Sequence, residues 1–144
     1  MALEIQIKYF NLKMPKIQKL EIGDWFDLRN SEREVLLGGR ATRIPLGIAM
    51  KLPPGFEAII APRSSSFKNW GVLQTNSPGV VDETFCGNDD EWQWSVYPTR
   101  DVMIEPYQRI CQFRIQEKQP DIVFTEVSNL KSPNRNGFGS SGTT

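Results

Sequence analysis

The sequence predicts an all-β domain. Three observations carry that expectation. Apolar and polar residues alternate with a period of two in several stretches. Short apolar runs are bounded by Pro, Gly or Asp. Helical stripes are scarce.

Taken in order, Leu3, Ile5, Ile7 and Tyr9 fall on one face of a first strand, with Glu4, Gln6 and Lys8 on the other. Ser31 and Glu34 have the spacing of a capping box, but no apolar helical stripe follows them. Phe56 to Ile60 reads as a strand. Ser66 to Trp70, closed by Gly71, predicts a single helical turn. Thr75 to Gly87 predicts a hairpin turning at Pro78-Gly79. Alternation returns at Trp92, Trp94 and Val96 and again at Cys111, Phe113 and Ile115, and Ile122 to Phe124 reads as a last short strand. From Ser128 the composition turns to Asn, Ser, Gly, Pro and Lys, which predicts a domain over residues 1–127 and a flexible C-terminal arm over 128–144.

The bulk numbers narrow the function. A chain of 144 residues supports one core. With 39% hydrophobic and 24% charged residues, it is composed like an ordinary soluble domain. No apolar run approaches the roughly 20 residues that span a bilayer. The start, Met-Ala-Leu-Glu-Ile-Gln, lacks a basic and then apolar leader, so an intracellular, cytoplasmic protein is expected. Seventeen basic and seventeen acidic residues give no basic excess for nucleic acid, though a small anion needs only a few local cations. Cys86 and Cys111 read as reduced, buried thiols rather than a disulfide framework. There is no histidine, so proton transfer or metal chemistry falls to carboxylates.

Five segments can carry chemistry. In Gly23-Asp24-Trp25-Phe26-Asp27-Leu28, two carboxylates three residues apart either belong to a turn and strand start or hold the water shell of a hard cation. Ala61-Pro62-Arg63-Ser64-Ser65-Ser66-Phe67 is a polar turn, or a cradle in which Arg63, hydroxyls and backbone N–H groups wrap a phosphate. The Thr75–Gly87 segment can pair its open end with a pyrimidine edge, with Asn76 adding a side-chain amide. Arg109 to Ile115 is a half-exposed strand whose Gln112 can reach a phosphate oxygen or a metal-bound water. The arm, with Arg135 and Phe138 among glycines, suits a segment that orders on an anion and a flat ring.

The order of these segments resembles the five motifs of the trimeric dUTPases across nearly the whole chain. Asp27-Leu28 looks like the end of the first motif and Pro62-Arg63-Ser64-Ser65 like the second. Asn76-Ser77-Pro78-Gly79-Val80-Val81-Asp82-Glu83-Thr84-Phe85-Cys86-Gly87 matches the third. Arg109-Ile110-Cys111-Gln112 resembles the fourth, and Gly137-Phe138-Gly139-Ser140-Ser141-Gly142 the fifth.

The resemblance implies a jelly-roll-like β-clip barrel assembled as a homotrimer, with sites at subunit boundaries. It implies hydrolysis of dUTP to dUMP and pyrophosphate with Mg²⁺. Asp82 would be the base that activates water. Arg63, Ser64 and Ser65 would hold phosphates, while Gln112 and Asp27 would position phosphate and Mg²⁺-bound water. Asn76 and Val81 would meet the base, and Phe85 would pack under the deoxyribose where the family usually has Tyr. Arg135 would meet the γ-phosphate, and Phe138, Gly139 and Ser140 would close over the nucleotide. Arg109 would form a structural or intersubunit ion pair.

The chain departs from the family pattern in places. Tyr107-Gln108 replaces the usual Gly before Arg109, Arg135 lies only three residues before Phe138, and Asn136 stands where Gly is common. Two rivals share the fold: a dCTP deaminase, alone or combined with dUTPase activity, and a non-catalytic nucleotide sensor. The strand start Trp92-Gln93-Trp94 lacks the Glu a deaminase needs, and a sensor would be marked by loss of Asp82 or of the arm.

Overall fold

A computed structural model describes residues 2–136, so the expected contacts of Phe138, Gly139 and Ser140 lie outside the described residues. Among the described residues, eleven strands and one short helix follow in the order β1 (Gln6–Tyr9), β2 (Phe26–Arg29), β3 (Glu34–Leu36), β4 (Thr42–Pro45), β5 (Ile48–Lys51), β6 (Phe56–Pro62), α1 (Ser66–Trp70), β7 (Val72–Gln74), β8 (Gly79–Val81), β9 (Gln93–Pro98), β10 (Val102–Ile104) and β11 (Arg109–Glu117). The all-β expectation holds. All strand pairs are antiparallel: β2-β11-β6-β8 form one sheet, β4-β9-β7 a second, and β1-β5 and β3-β10 pair as ribbons.

The two larger sheets share one core. Leu28, Ala58, Ile60, Cys111 and Phe113 come from the first, and Ile44, Val72, Trp94 and Val96 from the second. The alternation at Trp92, Trp94 and Val96 places all three inside, and the rings of Trp92 and Phe113 meet edge to face at 5.3 Å between centres. The helical turn also forms as expected. Gly71 ends it at φ +65, a left-handed conformation natural to glycine. A Cβ there would lie 2.9 Å from Arg100 Nε.

Two expectations change. Thr75–Gly87 is not a hairpin: β7 pairs with β9 and β8 with β6, so residues 75–78 carry the chain from one sheet to the other. Ile122 to Phe124 joins no sheet of its own chain, because β11 ends at Glu117 and these three apolar residues stand exposed.

Candidate active site

Three neighbouring strands gather residues far apart in sequence. On β11, Gln112 faces Asp27 of β2 on one side and Ala61 of β6 on the other. β6 then ends at Pro62 and the chain enters the Arg63–Ser65 turn. Arg63 folds back across this junction: its Nε lies 3.2 Å from Asp27 Oδ1, and its Nη1 donates to the Arg109 carbonyl at 2.9 Å. Arg109 Nη1 lies 3.5 Å from Asp27 Oδ2. Gln112 Nε2 donates to the Pro62 carbonyl at 3.0 Å. Residues of the first, second and fourth segments therefore sit side by side.

Asp27 is braced by an arginine on each oxygen, which changes the paired-carboxylate reading. Asp24 instead meets Arg114 Nη1 at 3.0 Å, so the two carboxylates serve different cations. Among the described residues, no group of three or more acidic, His or Cys side chains could hold a metal ion.

The serine run divides its labour. Ser66 is buried; its Oγ accepts from the Arg63 N–H at 2.9 Å and donates to the Ile110 carbonyl at 2.7 Å. Ser64 is exposed, and Ser65 makes no side-chain cap bond to α1. The sequence reading missed Ser66 as the anchor. Its spacing three residues after Arg63, matching a hydroxyl turn, was the available signal.

A second cluster lies between β8 and β9. Asn76, Gly79 and Val81 line a cleft of about 80 Å³ with Gln74, Gln93 and Trp94. Gln74 organises it. The Trp94 indole N–H, a donor only, meets Gln74 Oε1 at 2.6 Å, which turns the amide nitrogen toward the carbonyls of Ile60, at 2.9 Å, and Asn76. Nothing in the sequence singled Gln74 out.

Asp82 follows β8 in a tight turn and is exposed, not enclosed within its own chain. Its Oδ1 accepts the Thr84 N–H at 2.8 Å, and Phe85 N–H returns to the Asp82 carbonyl at 3.0 Å. Thr84 hydrogen bonds, aided by the charge of Lys118, hold the Asp82 carboxyl below the ordinary aspartate value. Glu83 fastens the turn from below, accepting the Gly55 N–H and Lys118 Nζ at 2.8 Å each. Phe85 is exposed beside it, and Cys86 is exposed too, against the expectation of two buried thiols; Cys111 is buried as expected.

Asp82 and the arginine–serine turn lie at opposite ends of β6. Ala58 pairs with Val81, so Asp82 sits level with Glu57, whereas Arg63 follows the far end of the strand. At about 3.4 Å per residue, the six positions from Glu57 to Arg63 span roughly 20 Å. One chain's Asp82 does not reach its own serine turn.

The family model described as dUTPase matches residues 10–142. The SPbeta prophage-derived deoxyuridine 5'-triphosphate nucleotidohydrolase of Bacillus subtilis is 46% identical over 98% of this chain and 99% of its own. The deoxyuridine 5'-triphosphate nucleotidohydrolase of Streptomyces coelicolor is 33% identical over 98% of this chain and 78% of its own. Among solved structures, the dUTPase of Staphylococcus bacteriophage 80alpha, as a G164S mutant with dUpNHpp, superposes with a TM-score of 0.75. That match covers 98% of this chain and 99% of the phage chain at 17% identity.

Proposed function

The chain belongs to the dUTPase family, and we propose that it hydrolyses dUTP to dUMP and pyrophosphate by attack of water on the α-phosphorus. The observation that carries the reading is the junction of β2, β11 and β6, where Arg63 and Gln112 lie side by side at the entry to the Ser64-Ser65 turn. A triphosphate needs such a fork of cationic and hydroxyl donors. Asp82 supplies the carboxylate that orients the water and accepts its proton. Held ionised by Thr84, it is a weak base and works through placement.

The roughly 20 Å between the ends of β6 supports a homotrimer in which one subunit's Asp82 faces a neighbour's phosphate cradle. Two further features fit that assembly. Leu3, Ile5, Ile7, Phe26 and Ile115 line an open apolar groove of about 290 Å³, and Ile122, Val123 and Phe124 stand exposed beyond β11. Both suit coverage by another copy. The domain of residues 1–127 then carries an arm, 128–144, that brings Arg135 to the γ-phosphate and Phe138, Gly139 and Ser140 over the base.

Mg²⁺ fits the donor set as a phosphate-borne ion rather than a protein-caged one. Each Asp27 oxygen, although paired with an arginine, keeps a lone pair for a metal-bound water. When bound, the ion neutralises phosphate charge and favours departure of pyrophosphate. The chain's own residues orient the phosphates through Arg63, Ser64, Ser65 and Gln112. They receive uracil in the cleft at Asn76 and Val81, and stack deoxyribose on Phe85. A ribose hydroxyl against Phe85 would find no partner, at about 1–3 kcal/mol. The two free cysteines suit a reducing cytoplasm.

Pyrophosphate release measured across a substrate panel tests this. With Mg²⁺ present, dUTP is expected to turn over while dTTP, UTP and dCTP react poorly. Ammonia from dCTP without turnover of dUTP would replace the reading with a deaminase.

A further inference from the structure

We propose that Arg29, Asn30 and Tyr107 form a clamp that positions the Arg63–Ser66 turn, a role that deepens the dUTPase reading and rests on it for its kinetic readout. Tyr107 adopts φ +67, in the left-handed region that a bulky residue seldom occupies. It stands where the family pattern has glycine, which takes this conformation without steric cost.

The surrounding contacts account for its persistence. Tyr107 N–H donates to the Asn30 carbonyl at 3.0 Å, and Arg29 Nη1 donates to the Tyr107 carbonyl at 2.7 Å. Asn11 Nδ2 donates to Tyr107 Oη at 3.0 Å. Asn30 is fully buried, and both ends of its amide are hydrogen-bonded. Nδ2 donates to the Glu32 and Glu105 carbonyls at 2.8 Å each, and Oδ1 accepts the Gln108 N–H at 2.8 Å.

The next two residues connect the clamp to the cradle. The register of β11 against β2 shifts between Arg109 and Cys111, a local irregularity of the kind that re-aims backbone groups. There the Arg109 carbonyl receives Arg63 Nη1 and the Ile110 carbonyl receives Ser66 Oγ. Any relaxation of Tyr107 toward negative φ displaces both carbonyls, and with them the arginine and the serine turn. Arg29 and Asn30 thus act on the phosphate site through backbone, without touching substrate.

The test is a double-mutant cycle in the full chain, using Arg29→Met and Tyr107→Gly. Arg29→Met keeps the stem's packing and removes the bond to the Tyr107 carbonyl. It is expected to lower kcat/KM for dUTP at least about tenfold, since small misplacements of positioning groups are costly. It should also speed hydrogen exchange at Arg63 Nε–H, read by NMR. Adding Tyr107→Gly, which takes positive φ without the clamp, is expected to restore most of both. An Arg29→Met protein with wild-type kinetics and exchange, or a loss that glycine does not restore, overturns the clamp. A wild-type chain that fails to hydrolyse dUTP counts against the activity reading alone, because Arg63 exchange still decides the clamp.

Discussion

Replacing Asp27 with Asn asks what that carboxylate does. The change keeps shape and removes the charge that Arg63 and Arg109 share, at 3.2 and 3.5 Å. Each contact corresponds to about 5 kcal/mol of attraction at an effective dielectric near 20, before desolvation and side-chain ordering are subtracted. The Asp27 side chain is 16% exposed and that of Arg63 is 26% exposed, so the pair is neither a surface pair nor a fully buried one. A net loss of about 2–3 kcal/mol is expected, below the ~3–5 kcal/mol for breaking a wholly buried pair. At roughly 2–4 °C per kcal/mol, melting should fall by about 5–10 °C with protein concentration held fixed. Arg63 would lose its fixed direction, and kcat/KM is expected to drop about a hundredfold. A magnesium titration then separates brace from metal contact. If Asp27 chiefly fixes the arginines, excess Mg²⁺ restores little; full recovery at high Mg²⁺, or unchanged melting and turnover, would refute the brace.

Asp82→Asn should abolish dUTP turnover while leaving binding of a non-hydrolysable analogue largely intact, as calorimetry would show; a fully active variant removes Asp82 from the base role. Glu34 offers a pH test. Burial, reinforced by Glu32, raises its carboxyl above the ordinary value, and its Oε1 has no hydrogen-bond partner among the described residues. The folded chain therefore binds this proton more tightly than the unfolded one, so its contribution to stability falls as pH rises through the raised value. Glu34→Gln should raise the melting temperature at neutral pH, with the advantage shrinking below the ordinary glutamate range. An advantage independent of pH would assign the effect to something other than titration.

Much of the fold was legible because period-two alternation reports burial directly, as at Trp92, Trp94 and Val96. Gly71 marked the end of α1 for an equally local reason. Pairing is not local. Pro78-Gly79 announces a turn, but nothing in those residues says that β7 goes to β9 and β8 to β6. Ile122 to Phe124 has strand chemistry without a strand partner in its own chain. At the site, residue types were readable in Arg63, Gln112 and Asp82, whereas the couplings were not. Sequence spacing pairs Asp24 with Asp27, but in space Arg63 and Arg109 take the two Asp27 oxygens while Arg114 takes Asp24. Asn30 and Gln74 gave no signal, since a lone amide in sequence does not reveal which carbonyls it will meet.

The length of β6 has a genetic consequence under the trimer reading. A subunit stripped of Arg63 and another stripped of Asp82 damage different halves of each shared centre. Co-assembled, these two inert chains would pair a sound cradle from one with a sound base from the other at some boundaries. Partial turnover recovered from such a mixture is what a strand this long enforces.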